Sequence, residues 1–250
     1  MKKIAAWCLA LCCAGCVSSP HGDNTNEHNE AGAKAHTNLA ADYYVRKQYA
    51  VALTELDMAL KFNPDYAPAY NMRGLVRMEL HQDSEAEADF QRSLTLDAGS
   101  SDAHNNYGWF LCQRGQFSAG LEQFTTALKN PLYSTPYMAY LNAGICSHKA
   151  GNAQQADAYL RKALELQPEL PGAFRELASL NFDGGNYAEA DKYFSRYAKD
   201  AGDAMSAQDL LLGTRIAHKT GNSEAAQDYS LQLGKRFPDS PEFKQMQQER

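Results

Sequence analysis

The sequence predicts an all-α protein, a right-handed superhelical solenoid of about six stacked helix pairs. Three observations lead there. Apolar residues recur at helical spacing, and no stretch shows the alternation a half-buried strand requires. A pattern of about 34 residues returns from residue 33 onward, the mark of an architecture built from one supersecondary unit. Between the halves of the later units the strings GQF, GNA, GNY and GNS recur, where glycine tolerates left-handed dihedrals.

The units start near 33, 67, 101, 137, 171 and 206. The first carries Leu39, Ala40, Tyr43, Ala52, Leu56 and Ala59 before Pro64. The second has Tyr70, Gly74, Ala86 and Phe90, with Ala98 in place of the closing proline. Tyr107, Gly108, Leu111, Gly120, Phe124 and Ala127 mark the third, with Pro131 slightly early. The fourth reads YLNAGICSHKAGNAQQADAYLRKALELQP, with Ala143 and Gly144 followed by Ala156, Leu160 and Ala163 and closed by Pro168. Phe174, Leu177, Ala178, Ala190 and Phe194 define the fifth, with Gly202 near its end. The sixth is the most degenerate, with Leu212, Gly213, Ile216, Ala225, Tyr229 and Pro238. This is the tetratricopeptide repeat (TPR) pattern, two antiparallel helices with small residues where they cross.

Such a stack presents a concave face lined by the first helix of each unit. On the repeat register that face receives Asn71, Leu75, Met78, Asn105, Trp109, Met138, Leu141, Ile145, Arg175 and Phe182. The expected partner-binding groove comprises Asn71, Leu75, Asn105, Trp109, Met138, Leu141 and Ile145, an apolar centre with amides at its edge. Leu75, Met138 and Leu141 stand where a clamp for chaperone carboxylates needs polar or basic groups. Aromatic side chains in concave sites often anchor partners, so Trp109 is read as an anchor. The alternative is that it packs sideways on Met138 or Leu141.

The amino terminus has a different character. Lys2 and Lys3 precede an apolar run from Ile4 to Ala14, too short to span a bilayer, which needs about 20 residues. It has the form of an export signal over residues 1–15. Ala14-Gly15-Cys16 resembles a bacterial lipobox, with Cys13 where that motif usually has Leu. The resemblance implies a diacylglycerol on Cys16, which anchors the chain to the membrane. Val17, rather than Asp, after the cysteine favours the outer membrane in such lipoproteins. Residues 16–32, polar and unpatterned, are expected to form a flexible tether, and residues 33–250 the repeat domain. His21 and His28 in the tether are read as solvated, not as metal ligands.

Four of the six cysteines fall in the first sixteen residues, leaving Cys112 and Cys146 in the mature domain. They lie late in the first helices of adjacent units, which pack side by side. A disulfide is expected in an oxidising compartment, and two buried thiols are the alternative. Net charge is −6, with 24 basic against 30 acidic residues. Losing Lys2 and Lys3 takes it to about −8, which argues against nucleic acid as a partner. No nucleophile–histidine signature, phosphate loop or zinc spacing points to an enzyme, and no cofactor or small-molecule substrate is expected. A Cys112–His148 pair is the nearest approach to a catalytic dyad. Glu85 and Glu87 read as solvated helix surface.

NNYGWFLC (105–112) and NPLYSTPYMAYLNAGIC (130–146) resemble the type IV pilus biogenesis and stability lipoproteins, the PilF/PilW pilotins. The resemblance runs from the lipobox through all the repeats. It implies a lipid-anchored outer-membrane protein, its domain in the periplasm, that binds the pilus secretin and assists its localisation and multimerisation. Two other readings share the anchor and the solenoid: a scaffold of the β-barrel assembly machinery, and an adaptor for a periplasmic protease or cell-wall enzyme.

Overall fold

The computed structural model describes residues 22–249, and side-chain environments from residue 26. The signal segment, Cys16 and the start of the expected tether lie outside the described residues. Among the described residues there is no strand. Thirteen α-helices follow one another there: α1 Gly22–Val45, α2 Tyr49–Phe62, α3 Ala67–Glu79, α4 Asp83–Leu96, α5 Ser101–Gln113, α6 Phe117–Leu128, α7 Pro136–Lys149, α8 Ala153–Leu166, α9 Pro171–Asp183, α10 Tyr187–Ala201, α11 Ala207–Thr220, α12 Ser223–Arg236 and α13 Pro241–Gln248. A short 3₁₀ turn at Gly202–Ala204 joins α10 to α11. Each odd-numbered helix from α1 to α11 pairs with the even-numbered helix after it. The odd-numbered helices also touch one another in sequence, from α1·α3 to α9·α11. They form the inner layer of the solenoid.

Each pair closes on a small residue set against a large one. Gly74 faces Phe90, Gly108 faces Phe124, and Gly144 faces Leu160; a Cβ on each glycine would lie within 2.9 Å of the facing ring or side chain. The first pair uses Ala40 and Leu56, and the fifth uses Ala178 and Phe194, all fully buried or nearly so. Removing one such large side chain would leave a cavity in a close-packed interior, which is why the pairing persists while its neighbours vary. The third pair sets backbone against backbone. A Cβ on Gly120 would sit 2.8 Å from the Gly108 carbonyl oxygen, backbone that cannot rotate away. Gly120→Ala gains about 1 kcal/mol of helix propensity but overpacks the crossing, which typically costs 1–3 kcal/mol and sometimes more. A net loss of roughly 1–2 kcal/mol is expected in chemical denaturation; a more stable variant would show that α5 and α6 can separate freely.

The four glycine turns have the anticipated backbone: Gly115, Gly151, Gly185 and Gly221 have φ between 76° and 78°. The first two units reach the same geometry without glycine. Lys47 (φ 58°) and His81 (φ 57°) stand in their place, at the strain a Cβ brings to left-handed backbone.

The amino-terminal boundary differs from the expected one. Helix α1 begins at Gly22, not near residue 33, so residues 22–32 of the expected tether are helical. The cause is tertiary. Gly32 opens a notch for Phe62 at the end of α2, where a Cβ would meet the ring at 2.6 Å. His36 stacks on the same ring with centroids 5.4 Å apart, and its Nδ1 lies 2.7 Å from Glu55. The last helix was also not anticipated. Ser240 caps it through the Phe243 N–H, Pro241 starts it, and Met246 buries itself against the sixth pair.

Candidate functional site

The inner layer carries a ladder of asparagines across three successive units. The amide of Asn142 donates to Asn105 Oδ1 at 3.0 Å, and that of Asn106 donates to Asn71 Oδ1 at 3.2 Å. A longer 3.4 Å contact from Asn105 Nδ2 to Asn106 Oδ1 joins the two halves. Amide chains of this kind fix the lateral spacing of α3, α5 and α7, because each buried group needs its partner. Asn71 is half-buried on α3. Asn105 is buried, 8% exposed, and its neighbour Asn106 is the half-buried member. The signal for Asn106 and Asn142 was available: like residues about one repeat apart fall on adjacent inner helices.

Trp109, Leu75, Met138 and Ile145, all on helices of the inner layer, are half-buried. Trp109 bridges two apolar clusters, one around Met78, Phe90, Phe110 and Leu111, the other around Cys112, Phe124, Ala143 and Cys146. The Lys149 ammonium sits 5.5 Å from its ring centroid, a cation–π contact, and donates to Gln113 at 2.8 Å. The indole therefore packs against both clusters while staying half-buried. Leu141 departs from expectation. It is 7% exposed and wedged against Gly172 in the next unit, 3.1 Å from where a Cβ there would lie. Its side chain holds the fourth unit to the fifth and does not line the open face.

Cys112 and Cys146 face each other beneath Trp109 with Cα atoms 5.7 Å apart, inside the range a disulfide needs. The expected juxtaposition is present. The Cys112–His148 dyad does not form in this way. His148 turns to the fifth unit, its Nδ1 2.7 Å from Glu176 and its Nε2 3.1 Å from Asp183. The hydrogen bond to Glu176 raises the imidazole pKa above its ordinary value, against the opposing effect of burial. Glu87, read as solvated, accepts a hydrogen bond from the Tyr107 hydroxyl at 3.1 Å.

From His148 a polar network continues along the inner layer. Arg175 lies 3.6 Å from Glu176 and donates through Nε to Asp209 at 2.5 Å. Asp209, 4% exposed, also accepts from the Tyr197 hydroxyl at 2.8 Å and from the Ser206 N–H and hydroxyl at the start of α11. Burial opposes ionisation of this carboxyl, but the Ser206, Arg175 and Tyr197 hydrogen bonds outweigh it and hold its pKa below the usual range. Another network joins Arg73 and Arg77 of α3 to Asp89 of α4, with Arg73 gripping both carboxylate oxygens at 2.9 and 2.8 Å. No cluster of three or more metal-ligating side chains occurs among the described residues, and no described helix is long and apolar enough to cross a membrane.

Stacked helix pairs with an apolar, amide-edged inner face define a TPR scaffold, the class that serves as a protein-interaction module. The tetratricopeptide repeat family pattern matches residues 139–170. The type IV pilus assembly protein PilF of Pseudomonas aeruginosa is 28% identical over all of this chain and 99% of its own length. The crystal structure of PilW, described as a widely conserved type IV pilus biogenesis factor, is 38% identical, with 86% of this chain and 97% of that one aligned at a TM-score of 0.76. The Pseudomonas aeruginosa PilF structure aligns with the same TM-score at 26% identity, over 89% of this chain and 100% of that one. The chain belongs to the PilF/PilW family of type IV pilus biogenesis TPR proteins.

Proposed function

We propose that the protein is a pilotin: an outer-membrane lipoprotein, held by a lipid on Cys16, whose inner face binds the pilus secretin and promotes its localisation and multimerisation in the periplasm. The observation that carries this reading is end-to-end similarity to pilus biogenesis proteins, which extends beyond what any shared repeat requires. The lipobox-like Ala14-Gly15-Cys16 supports the anchor. Half-buried Trp109, Leu75, Met138 and Ile145 beside the asparagine ladder suit a segment with apolar side chains and a hydrogen-bonding backbone. Anchoring raises the local concentration of this face at the membrane, so a modest intrinsic affinity suffices to gather secretin subunits.

Trp109→Ala is expected to weaken secretin capture about tenfold or more, the loss typical of a central aromatic anchor, while Asn71→Ala has a smaller effect. Pull-down of secretin with the lipidated protein, with circular dichroism as the folding control, measures this. Recovery of β-barrel assembly components instead, or full capture by a folded Trp109→Ala protein, would refute the assignment. In cells, deletion should abolish secretin multimers while monomer persists. The Cys112–Cys146 pair is proposed to be oxidised in that compartment, stapling the third unit to the fourth behind Trp109.

A further inference from the structure

A cavity of ≈ 570 Å³ opens where α9, α11 and α13 meet, at the far end of the inner layer from α1. Its size falls within the range of ligand sites, about 300–1,000 Å³. Leu211 and Met246, 5% and 4% exposed, form an apolar base with Phe182 beside them. One wall is basic: Arg215 and Lys219 lie one helical turn apart on α11, with His218 between them at the rim. The one acid lining this cavity is Glu249, just beyond α13. Arg215 holds it with both sides of its guanidinium, Nε to Oε2 at 3.0 Å. That contact, more than any other influence, draws the Glu249 carboxyl below its ordinary pKa.

We infer that this cavity is a second peptide-binding site, taking an acidic segment of a partner protein with a bulky apolar side chain next to a carboxylate. Two features argue for that occupant. The apolar base sits directly below fixed positive charge, so one ligand residue fills the base while its neighbour pairs with Arg215 and Lys219. The chain's own Glu249 already makes the pairing a partner carboxylate would make, delivered by an eight-residue helix that packs only on α11 and α12. Glu249 thus acts as an internal competitor, and binding exchanges it for the partner's acid. Of the residues the register puts on the inner face, Phe182 lines this cavity but none of the seven groove residues around Trp109 does, so the site stands or falls independently of secretin binding.

The test uses the full chain in detergent and a fluorescein-labelled peptide, acetyl-Glu-Asp-Leu-Phe-Asp-Glu-amide, followed by anisotropy at low salt. Saturable binding is expected. It should weaken about tenfold in Arg215→Ala, in line with loss of one charged hydrogen-bonded pair. Lys219→Glu, which leaves the Arg215–Glu249 pair intact, should weaken it about fivefold, and Glu249→Gln should tighten it by about threefold. Added salt should weaken binding in every protein that retains the site. The inference is overturned by any of four results: no saturable binding, equal binding of a peptide with lysines in place of its acids, unchanged affinity in both cationic-residue variants, or weaker binding by Glu249→Gln.

Discussion

Asp209→Ala is expected to destabilise the protein by roughly 3 kcal/mol, the lower end of what breaking a buried ion pair costs. The lower end applies because Arg175 keeps 32% of its side-chain surface in water, whereas Asp209 keeps 6%. The substitution strands the Tyr197 hydroxyl and the Arg175 guanidinium and also dismantles the capping box that starts α11. For a chain of this size the midpoint should fall by about 6–12 °C. Asp209→Asn, which retains an acceptor, should fall between the variant and the parent. The pH dependence has a definite sign. A carboxyl whose pKa is lowered on folding contributes stability above its unfolded value, near 4, and loses it as pH drops through the folded value. The parent should therefore lose its advantage over Asp209→Asn below about pH 4. A loss under about 1 kcal/mol at neutral pH would show that the network orders the fifth and sixth units without stabilising them.

The second large effect concerns the cysteines. Replacing both Cys112 and Cys146 with serine should cost about 3–4 kcal/mol, from the unfolded-chain entropy released when a loop of this length is opened. Their separation is 34 residues, one repeat. Adding a reductant to the parent should reproduce the loss, because the folded contacts barely change and the constraint on the unfolded chain disappears. Thiol labelling of unfolded, unreduced protein gives an independent answer. Two reactive thiols, or identical melting with and without reductant, would mean that the pair is reduced and packs as two small apolar side chains.

The helix pairs could be read from the sequence because one rule repeats: a small residue in the first helix facing a large one in the second. Gly74–Phe90, Gly108–Phe124 and Ala178–Phe194 obey it at constant spacing. The glycine turns were legible for the same reason. What escaped the reading depends on contacts between units. Arg175 falls on the inner face by register, but Asp209 looks like an ordinary solvated charge until α9 and α11 are set side by side, when residues 34 positions apart meet. His148–Asp183 and Arg215–Glu249 follow the same rule at 35 and 34. Leu141 and Asn105 lie on inner-layer helices, yet their contacts with Gly172 and Asn142 leave them buried. Register alone gives direction and not depth. Residues 22–32 read as spacer because these first eleven residues of α1 show no amphipathic pattern; the notch at Gly32 has meaning only once Phe62 is beside it.

That longer first helix changes the geometry that the proposed lipid anchor would have. From Cys16 to the first helical residue, Gly22, the chain can span at most about 21 Å, against about 56 Å had the spacer run to residue 32. Beyond it stands a helix of 24 residues, about 36 Å long, fixed to the rest of the stack through Phe62 and Glu55. With a lipid on Cys16 the domain is moored on a short line at one end. Its first unit would then stay within a few nanometres of the bilayer, with the asparagine ladder and Trp109 in the second to fourth units and the α13 cavity at the opposite end of the stack. A partner docking at α13 would be held at the end of the stack away from the mooring, and one docking on the first units beside it.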